Sequence, residues 1–521
     1  MTQTKPAESQ ADSAPAKSSP GQALLPRVLG PFDAIMIVVG GIIGSGIFLK
    51  VSDIDTHVPS FGLILGVWIV GGIVTLCGAL ALAELAAMLP QAGGPYVYLR
   101  EAYGRPAAFL WGWTEFAIVR TGSLGSLACG TVIYFNAFLL SLKQQGYAPQ
   151  WLADRLGSGG LSHFSQGLLA IAAVLILSWV NIIGTRSSAW TQNVTTIIKV
   201  SFLGLIIVGP WLAGSSARIT PSPMSWPVHP EFSFFKGVGL AMLAVFWPYD
   251  GWINIGPIAE EVKKPQRNVP LALGLGVLLV GVIYVSAILS YHSVLSIGEI
   301  QESKAVASDL FTTLAKREPE SWIRWKWLAI LASLGVMVSA FGALNSNLLA
   351  GPRIYFSMAR DGLFPKLIGE VHPRFKTPAN AILAQTIWSV LQIVIVFLVA
   401  SDPKDAFGKL TNFVVLGGTI FYALTVAAVY VLRRKMPEAE RPYRTWGYPL
   451  TPAIYLLAAI GVCWGALTEK DSETGNNVGQ YQVIAVISLI AVGMLIYTFF
   501  RAGELAALNR SFRGKSKKRK K

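Results

Sequence analysis

Charged residues are scarce in this sequence: Asp, Glu, Lys and Arg make up 14% of its 521 residues, whereas 53% of the residues are hydrophobic. A soluble domain usually carries about a quarter of its residues as these four types. A water-soluble fold could not hide this much apolar surface from solvent, which excludes an ordinary soluble protein. No polar linker interrupts the apolar blocks from Ala34 onward, so we predict a single membrane domain.

Cysteine and histidine are also few. Each of the three cysteines, Cys77, Cys129 and Cys463, lies inside an apolar run, where a free thiol behaves as a small hydrophobe, and we predict no structural disulfide. The five histidines lie near the ends of apolar runs or between them, without the spacing of metal ligands. A phosphate-binding glycine loop and a nucleophile motif are missing as well. We therefore predict no metal, no cofactor and no enzymatic activity.

The N-terminus lacks the short apolar core of a signal peptide. Residues 1–30 are rich in Ser, Ala, Pro and Gln, which predicts a disordered cytoplasmic tail. The net charge of +15 arises from basic residues between apolar runs and in a basic tail at 506–521. This placement is typical of membrane topology, because cytoplasmic loops accumulate Lys and Arg, and we predict no nucleic-acid partner.

What the sequence has in abundance is long apolar runs. A helix needs roughly 20 apolar residues to cross the hydrocarbon core, and about twelve runs over residues 31–505 meet this requirement. They are centred near Gly40, Val70, Leu124, Val174, Leu203, Ala244, Leu279, Leu334, Ile393, Thr419, Ala459 and Leu489. The third and eighth runs are long enough to tilt strongly.

The distribution of Lys and Arg predicts the orientation of these spans. With the N-terminus inside, the segments on the cytoplasmic side hold the clear excess of basic residues, including Arg433, Arg434 and Lys435. Both termini are then cytoplasmic, in the plasma or inner membrane. The basic segment around Lys316 and Arg317 lies on the outside in this orientation. Acidic neighbours and a possible surface helix reduce its influence on the orientation of the spans.

The first span contains glycines that predict a break in its helix. Gly44 and Gly46 flank Ser45 near the middle of the span, and glycine permits non-helical backbone and leaves the amides uncovered. In lipid, irregular backbone is tolerated only where it is buried in protein or lines a polar cavity, so a break indicates a site. The alternative is close helix packing, since small residues at four-residue spacing also mediate helix contacts.

The sixth span carries a second predicted break, at Phe246-Trp247-Pro248-Tyr249-Asp250-Gly251-Trp252. Pro248 removes one helical hydrogen bond, and its ring clashes with the carbonyl four residues earlier. An acidic residue in mid-membrane costs several kcal/mol unless it is paired or hydrated, so we expect Asp250 to line a cavity. Breaks at matching positions of two five-helix halves are typical of inverted-repeat transporters.

The direction of the two spans predicts which charges the breaks attract. The half of the first span after Gly46 begins at the break with free N–H groups and a positive dipole end, which suits a carboxylate. The outer half of the sixth span ends at the break with free carbonyls, reinforced by Asp250, which suits an ammonium. The pair matches the zwitterionic head of an amino acid.

These motifs resemble the amino acid-polyamine-organocation superfamily, and within it the L-type amino acid transporter family and its bacterial relatives. The resemblance covers about 32–434 and rests on several stretches together. They are Gly41-Ile42-Ile43-Gly44-Ser45-Gly46-Ile47-Phe48, Ala83-Glu84-Leu85 with Pro90-Gln91-Ala92-Gly93-Gly94-Pro95-Tyr96, and Tyr249-Asp250-Gly251-Trp252 with Glu260-Glu261-Val262-Lys263-Lys264-Pro265.

The resemblance implies an all-α membrane fold of the LeuT type, with inverted repeats at about 31–213 and 233–433 and two peripheral helices at about 447–503. It implies that the first break binds the substrate carboxylate, that carbonyls of the second bind the amine, and that Trp247 closes over the substrate. The candidate substrate-binding residues are Ile43, Gly44, Ser45, Gly46, Phe246, Trp247, Pro248, Tyr249, Asp250 and Gly251.

Lys199, in the fifth span, falls in a segment that resembles a family segment with a lysine beside the broken first helix. Such an ammonium stands where sodium binds in other members, which disfavours sodium coupling and permits a proton-linked role; the alternative is snorkelling to an interface. Ser123, Ser126, Ser339 and Asn345 either face the pocket or hold helices together.

Other polar residues leave alternatives open. Glu84, Glu115 and Arg120 either pair with one another, snorkel or contact substrate, whereas Glu260 and Glu261 are expected to form a salt-bridged cytoplasmic end with Lys263 and Lys264.

Two departures from the family pattern bear on partners and substrates. Many relatives carry a glycine where this sequence has Asp250. An acidic residue at this position argues against a pocket that accepts only neutral substrates. The outside loop 141–166 has no cysteine, so a disulfide-linked heavy chain is not expected as a partner.

The sequence thus predicts a secondary active transporter or exchanger that moves amino acids by alternating access, with the lipid bilayer as its surroundings. The alternatives are a non-transporting amino-acid receptor or sensor and a polyamine or amine transporter.

Overall fold

The computed structural model describes residues 25–58, 60–213, 233–303, 305–318, 322–399, 403–468 and 478–519, most of them helical. Residues 1–24 of the predicted N-terminal tail lie outside this set.

The described residues of the first half of the chain form ten α-helices. They are α1 (Pro31–Ile42), α2 (Gly46–Leu49), α3 (Val51–His57), α4 (Phe61–Met88), α5 (Pro95–Tyr103), α6 (Arg105–Thr114), α7 (Arg120–Gln144), α8 (Gln150–Arg155), α9 (His163–Ile183) and α10 (Thr185–Leu212). A π-helical segment, Glu115–Val119, joins α6 to α7 into one long third span.

The described residues of the second half form ten more. They are α11 (Phe234–Tyr249), α12 (Ile255–Ile258), α13 (Pro265–His292), α14 (Ile297–Glu302), α15 (Val306–Arg317), α16 (Trp322–Arg360), α17 (Ala379–Val399), α18 (Pro403–Lys435), α19 (Leu450–Thr468) and α20 (Val478–Arg519). The backbone of α20 continues as helix through most of the predicted basic tail.

Eleven helical segments of the described chain are long and apolar enough to cross a membrane. The predicted sixth span is not among them, because its helix α11 stops after 16 residues at Tyr249. The chain then continues in short helical turns to Glu261. The interruption that the sequence predicted therefore leaves α11 too short to be counted as a membrane-spanning helix by itself.

Matching helices of the two halves pack against each other. In the second and seventh spans α4 lies against α13, in the third and eighth α7 lies against α16, and in the fourth and ninth α9 lies against α17. The first span crosses the sixth, with α2 against α11 and α1 against the turn Trp252–Asn254. Spans five apart run in opposite directions through a bilayer, so this pairing is that of an inverted repeat and confirms the predicted LeuT-type fold.

Local sequence fixes where several of these helices begin. The hydroxyl of Ser60 accepts the N–H of Leu63 at the start of α4, and that of Ser162 accepts the N–H of Ser165 at the start of α9. Pro265 is the first residue of α13, where its missing N–H would have no helical partner in any case. These caps define the lengths of the spans that surround the two breaks.

One end of the bundle is closed around two carboxylates. Glu260 accepts the backbone N–H groups of Leu25 and Ala92, both at 2.9 Å, and thus connects the N-terminal segment to the loop after α4. Glu261 binds the guanidinium of Arg353 at 2.8 Å and the hydroxyl of Thr185 at 2.6 Å, with both charged side chains fully buried.

The predicted salt bridges from these acids to Lys263 and Lys264 are wrong, because both lysines are exposed and the carboxylates turn inward. Arg353 and Arg360, both on α16, supply the cations instead. A guanidinium holds a carboxylate in a fork geometry that a lysine does not offer.

We predict that Arg353→Met lowers the stability of the protein by about 3–5 kcal/mol, because it leaves the carboxylate of Glu261 buried without its cation. The double variant Arg353→Met with Glu261→Gln should recover much of this loss, since it removes both charges and keeps an acceptor for Thr185. The measurement is the melting temperature of the purified protein, with Arg434→Met, at an exposed position, as the control. Equal melting temperatures for the single variant and the control would contradict the prediction.

Candidate functional site

The first span is broken where the sequence predicted it. Helix α1 ends at Ile42, Ile43 is extended with φ −71° and ψ 93°, and α2 begins at Gly46. The whole segment is buried, and the hydroxyl of Ser45 is 0% exposed without a hydrogen-bond partner among the described residues. The first amides of α2 have no acceptor within the helix, so this end presents free N–H groups.

The sixth span is broken at the predicted position as well. Helix α11 ends at Tyr249, Asp250 is extended with φ −69° and ψ 162°, and a short turn begins after Gly251. Gly251 has φ +102°, a backbone conformation that a side chain makes costly. The sharp change of direction therefore requires glycine at this position.

The two breaks touch each other. A Cβ atom added to Gly46 would lie 2.5 Å from Cα of Pro248, and one added to Gly251 would lie 2.5 Å from the carbonyl oxygen of Gly41. The hydroxyl of Tyr284, on α13, lies 3.0 Å from the carbonyl oxygens of both Ile42 and Pro248. One side chain thus bridges the ends of the two interrupted helices.

Lys199 donates hydrogen bonds to main-chain carbonyl groups of the first break. Its ammonium donates to the carbonyl oxygens of Gly40 at 2.9 Å, Ile43 at 2.6 Å and Ser339 at 3.1 Å. The hydroxyl of Ser339 donates to the carbonyl of Gly44 at 2.9 Å. Lys199 is fully buried, so it does not reach an interface as the snorkelling alternative required.

A cavity lies between the two breaks. Most of the predicted pocket residues line it, and others come from the third and eighth spans. The lining comprises Gly41, Ile42, Gly44, Ser45, Gly46, Ser123, Leu127, Trp247, Asp250, Gly251, Ala343 and Asn347. Trp247 lies against Phe407 with ring centroids 5.8 Å apart and covers one side of the cavity.

A second cavity adjoins the first at Asp250. It is lined mainly by aromatic rings, including Phe246, Tyr249 and Tyr422, the last of which donates from its hydroxyl to Asp250 at 3.1 Å. Asp250 lines both cavities, so its carboxylate is the charged group that they share.

Several candidate residues lie beside the first cavity rather than on its wall. Ile43 and Pro248 supply carbonyls to Lys199 and Tyr284. Ser126 is fully buried, and Ser339 faces the backbone of the first break.

Sequence reasoning missed the pocket residues of the eighth span. Ala343 and Asn347, four residues apart on α16, share the helix face that lines the cavity. Asn345, which the sequence suggested, points instead to Asn181, Ser188 and Gln192 in the fourth and fifth spans. Tyr284 was also missed, because nothing distinguishes it in the sequence from other tyrosines in apolar runs.

Four further charged residues within the described spans form ion pairs. Glu115 and Arg120 form a buried ion pair at 2.7 Å, and Glu84 binds Arg433 through both carboxylate oxygens at 2.9 and 2.7 Å. Over the residues that the structure describes, no group of three His, Cys, Asp or Glu side chains is placed to hold a metal ion.

Comparison with known proteins agrees with this geometry. Residues 29–499 match the model of a family described as amino acid permease. The chain belongs to the amino acid permease family. It is thereby a member of the amino acid-polyamine-organocation superfamily, as its motifs predicted.

Curated relatives of the permease are transporters. It is 30% identical over 462 residues to the serine/threonine exchanger SteT of Bacillus subtilis, covering 87% of this chain and 94% of that protein. It is 27% identical to the b(0,+)-type amino acid transporter 1 of Mus musculus, covering 91% of this chain and 88% of that protein. It is 31% identical to the large neutral amino acids transporter small subunit 2 of Mus musculus, covering 87% and 78%.

We predict that Gly46→Ala reduces amino acid uptake by the permease at least about tenfold, because the new methyl group would overlap Pro248 and separate the breaks. The measurement is uptake into proteoliposomes at equal protein content. Gly281→Ala is the matched control, since a Cβ there meets no atom within 4 Å, and it should transport normally. A Gly46→Ala protein as active as this control would contradict the prediction.

Proposed function

We propose that the permease holds the zwitterionic head of an amino acid between its two helix breaks and moves it by alternating access. The observation that supports this most is the contact between the breaks, which places a helix N-terminus and a carboxylate on one cavity. Transport of amino acids is the activity of its family; the assignment of residues to the substrate is our proposal.

The carboxylate of the substrate is assigned to the first break. The amides at the start of α2 form the positive end of a helix dipole. The helical conformation continues after α2 through Lys50 into α3. Ser45 lines the cavity with a buried hydroxyl that lacks a partner among the described residues, so it is available to a ligand. A carboxylate satisfies both kinds of donor at once.

The ammonium of the substrate is assigned to Asp250 and the end of α11. The carbonyl of Pro248 already accepts from Tyr284, and that of Trp247 accepts the N–H of Asp250 at 3.1 Å. The carboxylate of Asp250 therefore supplies most of the negative charge on this side of the cavity. A carboxylate within the membrane favours a cationic group as its partner.

Alternating access requires a closure on each side of the cavity. On one side the N-terminal segment, Glu260 and Glu261 seal the bundle, and on the other Trp247 lies against Phe407. The positive-inside pattern supports assigning the first of these closures, and both termini, to the cytoplasm of a cell with the permease in its plasma or inner membrane.

We predict that Ser45→Ala and Trp247→Ala each lower the affinity for amino acids, by about tenfold or more, since they remove a donor and the cover of the substrate. The measurement combines uptake into proteoliposomes with the rise in melting temperature on adding amino acid. Ser286→Ala is the control, because that hydroxyl bonds only its own helix at Val282. Unchanged uptake and binding in both site variants would refute the assignment.

The same assay separates the alternatives. Binding without flux would indicate a receptor, and strong competition by polyamines but not amino acids would indicate an amine transporter, which the carboxylate of Asp250 on the cavity wall also permits.

For Lys199 we propose a coupling role. Its ammonium donates hydrogen bonds to three carbonyls around the first break, which a bound cation would otherwise coordinate.

We predict that replacing sodium by choline leaves uptake unchanged, whereas Lys199→Met abolishes most of the uptake by leaving those carbonyls unpaired. Uptake that requires sodium in the wild-type protein would contradict this role.

A further inference from the structure

We infer that Glu115 is a specificity-determining positioning residue that holds Arg120 so that the charge of Asp250 stays available to a cationic substrate group. This inference rests on the proposed assignment of Asp250 to the ammonium side of the cavity. Substrate charge is then selected not only by Asp250, which lines the cavity, but also by Glu115 and Arg120, which do not.

The π-helical segment of the third span creates the ion pair. Residues five apart on an α-helix are about 140° apart around its axis and cannot face each other. Here the N–H of Arg120 bonds the carbonyl of Glu115, five residues earlier, and the hydroxyl of Thr121 bonds the carbonyl of Phe116 in the same register. The widened turn brings Glu115 and Arg120 to one face, where Nε of Arg120 donates to Oε2 of Glu115 at 2.7 Å.

The remaining contacts of Arg120 hold it in place. Nη1 donates to the amide oxygen of Asn347, at 2.7 Å, and to that of Asn254 after the second break. The side chain passes Gly351, where an added Cβ would lie 2.6 Å from Cγ of Arg120. Arg120 is thus bound to a cavity-lining residue and to the far side of the second break without lining the cavity.

Arg120 is connected to the cavity through Asn347, which lines it together with Asp250. Among the described contacts, Asp250 receives a side-chain hydrogen bond from Tyr422, whereas Arg120 gives its charge-assisted bond to Glu115. The charge of this guanidinium is therefore offset by a carboxylate that does not line the cavity.

A consequence follows for substrate charge. While Glu115 carries its charge, the three groups together present a net negative charge to the cavity, located on Asp250. If Glu115 were neutral, Arg120 would offset the charge of Asp250, and the cavity would no longer favour a substrate with an additional positive charge. A neutral amino acid, with its own carboxylate on the first break, would lose less.

The test uses Glu115→Gln, Arg120→Gln and the double variant in proteoliposomes. Uptake of labelled L-alanine is inhibited with unlabelled L-alanine or L-lysine, and the ratio of the two inhibition constants is recorded. Glu115→Gln should weaken L-lysine about tenfold more than L-alanine, and Arg120→Gln should favour L-lysine. The double variant should return the ratio to near the wild-type value, because it removes both charges.

Loss of a merely structural pair would affect both amino acids equally and would be seen as a lower melting temperature without a change in the ratio. An unchanged ratio in Glu115→Gln, or a double variant that does not restore it, overturns the inference. If Glu115→Gln does not fold, an unchanged ratio in Arg120→Gln decides against it. Alanine uptake that L-lysine cannot inhibit in the wild-type protein overturns this inference alone, whereas absence of any amino acid binding refutes the proposed function.

Discussion

Two helices that stop halfway across an apolar layer leave main-chain groups that water cannot reach, and the rest of the structure follows from satisfying them. Lys199 and Ser339 take the carbonyls of the first break, and Tyr284 joins it to the second. What remains around the cavity is the start of α2, the hydroxyl of Ser45, which has no partner among the described residues, and the carboxylate of Asp250, which accepts from Tyr422 but contacts no cation among them. The groups that we propose to bind the substrate are therefore those that the protein has not used to stabilise its own backbone.

Charge inside the bundle follows the same logic. Glu115 with Arg120 and Glu261 with Arg353 are buried pairs, each fixed by further hydrogen bonds to side chains of other spans. Such pairs contribute little net stability compared with apolar residues, but removing one member is costly, so they restrict which arrangements the helices can adopt. Asp250 differs because no cation contacts it directly among the described residues, which fits a position that a substrate completes.

The contacts that we propose as closures on the two sides of the cavity differ in chemistry. On one side, backbone amides of the N-terminal segment and of the loop after α4 converge on Glu260. On the other, Trp247 and Phe407 make an apolar contact. Opening the first side requires breaking directional bonds to a carboxylate, whereas opening the second requires only separating two rings, so the two steps need not cost the same free energy.

Composition and motif spacing determined the membrane class, the number of spans and the positions of both breaks, because hydrocarbon thickness fixes helix length and because Gly44, Gly46 and Pro248 act on the backbone of their own neighbourhood. The tertiary structure decided what meets across spans. No short-range pattern indicated that Tyr284 bridges the breaks, that Asn347 rather than Asn345 lines the cavity, or that Arg353 replaces the nearby lysines. Each depends on the rotation of one helix about its axis, which packing against other helices sets and which short-range patterns do not encode.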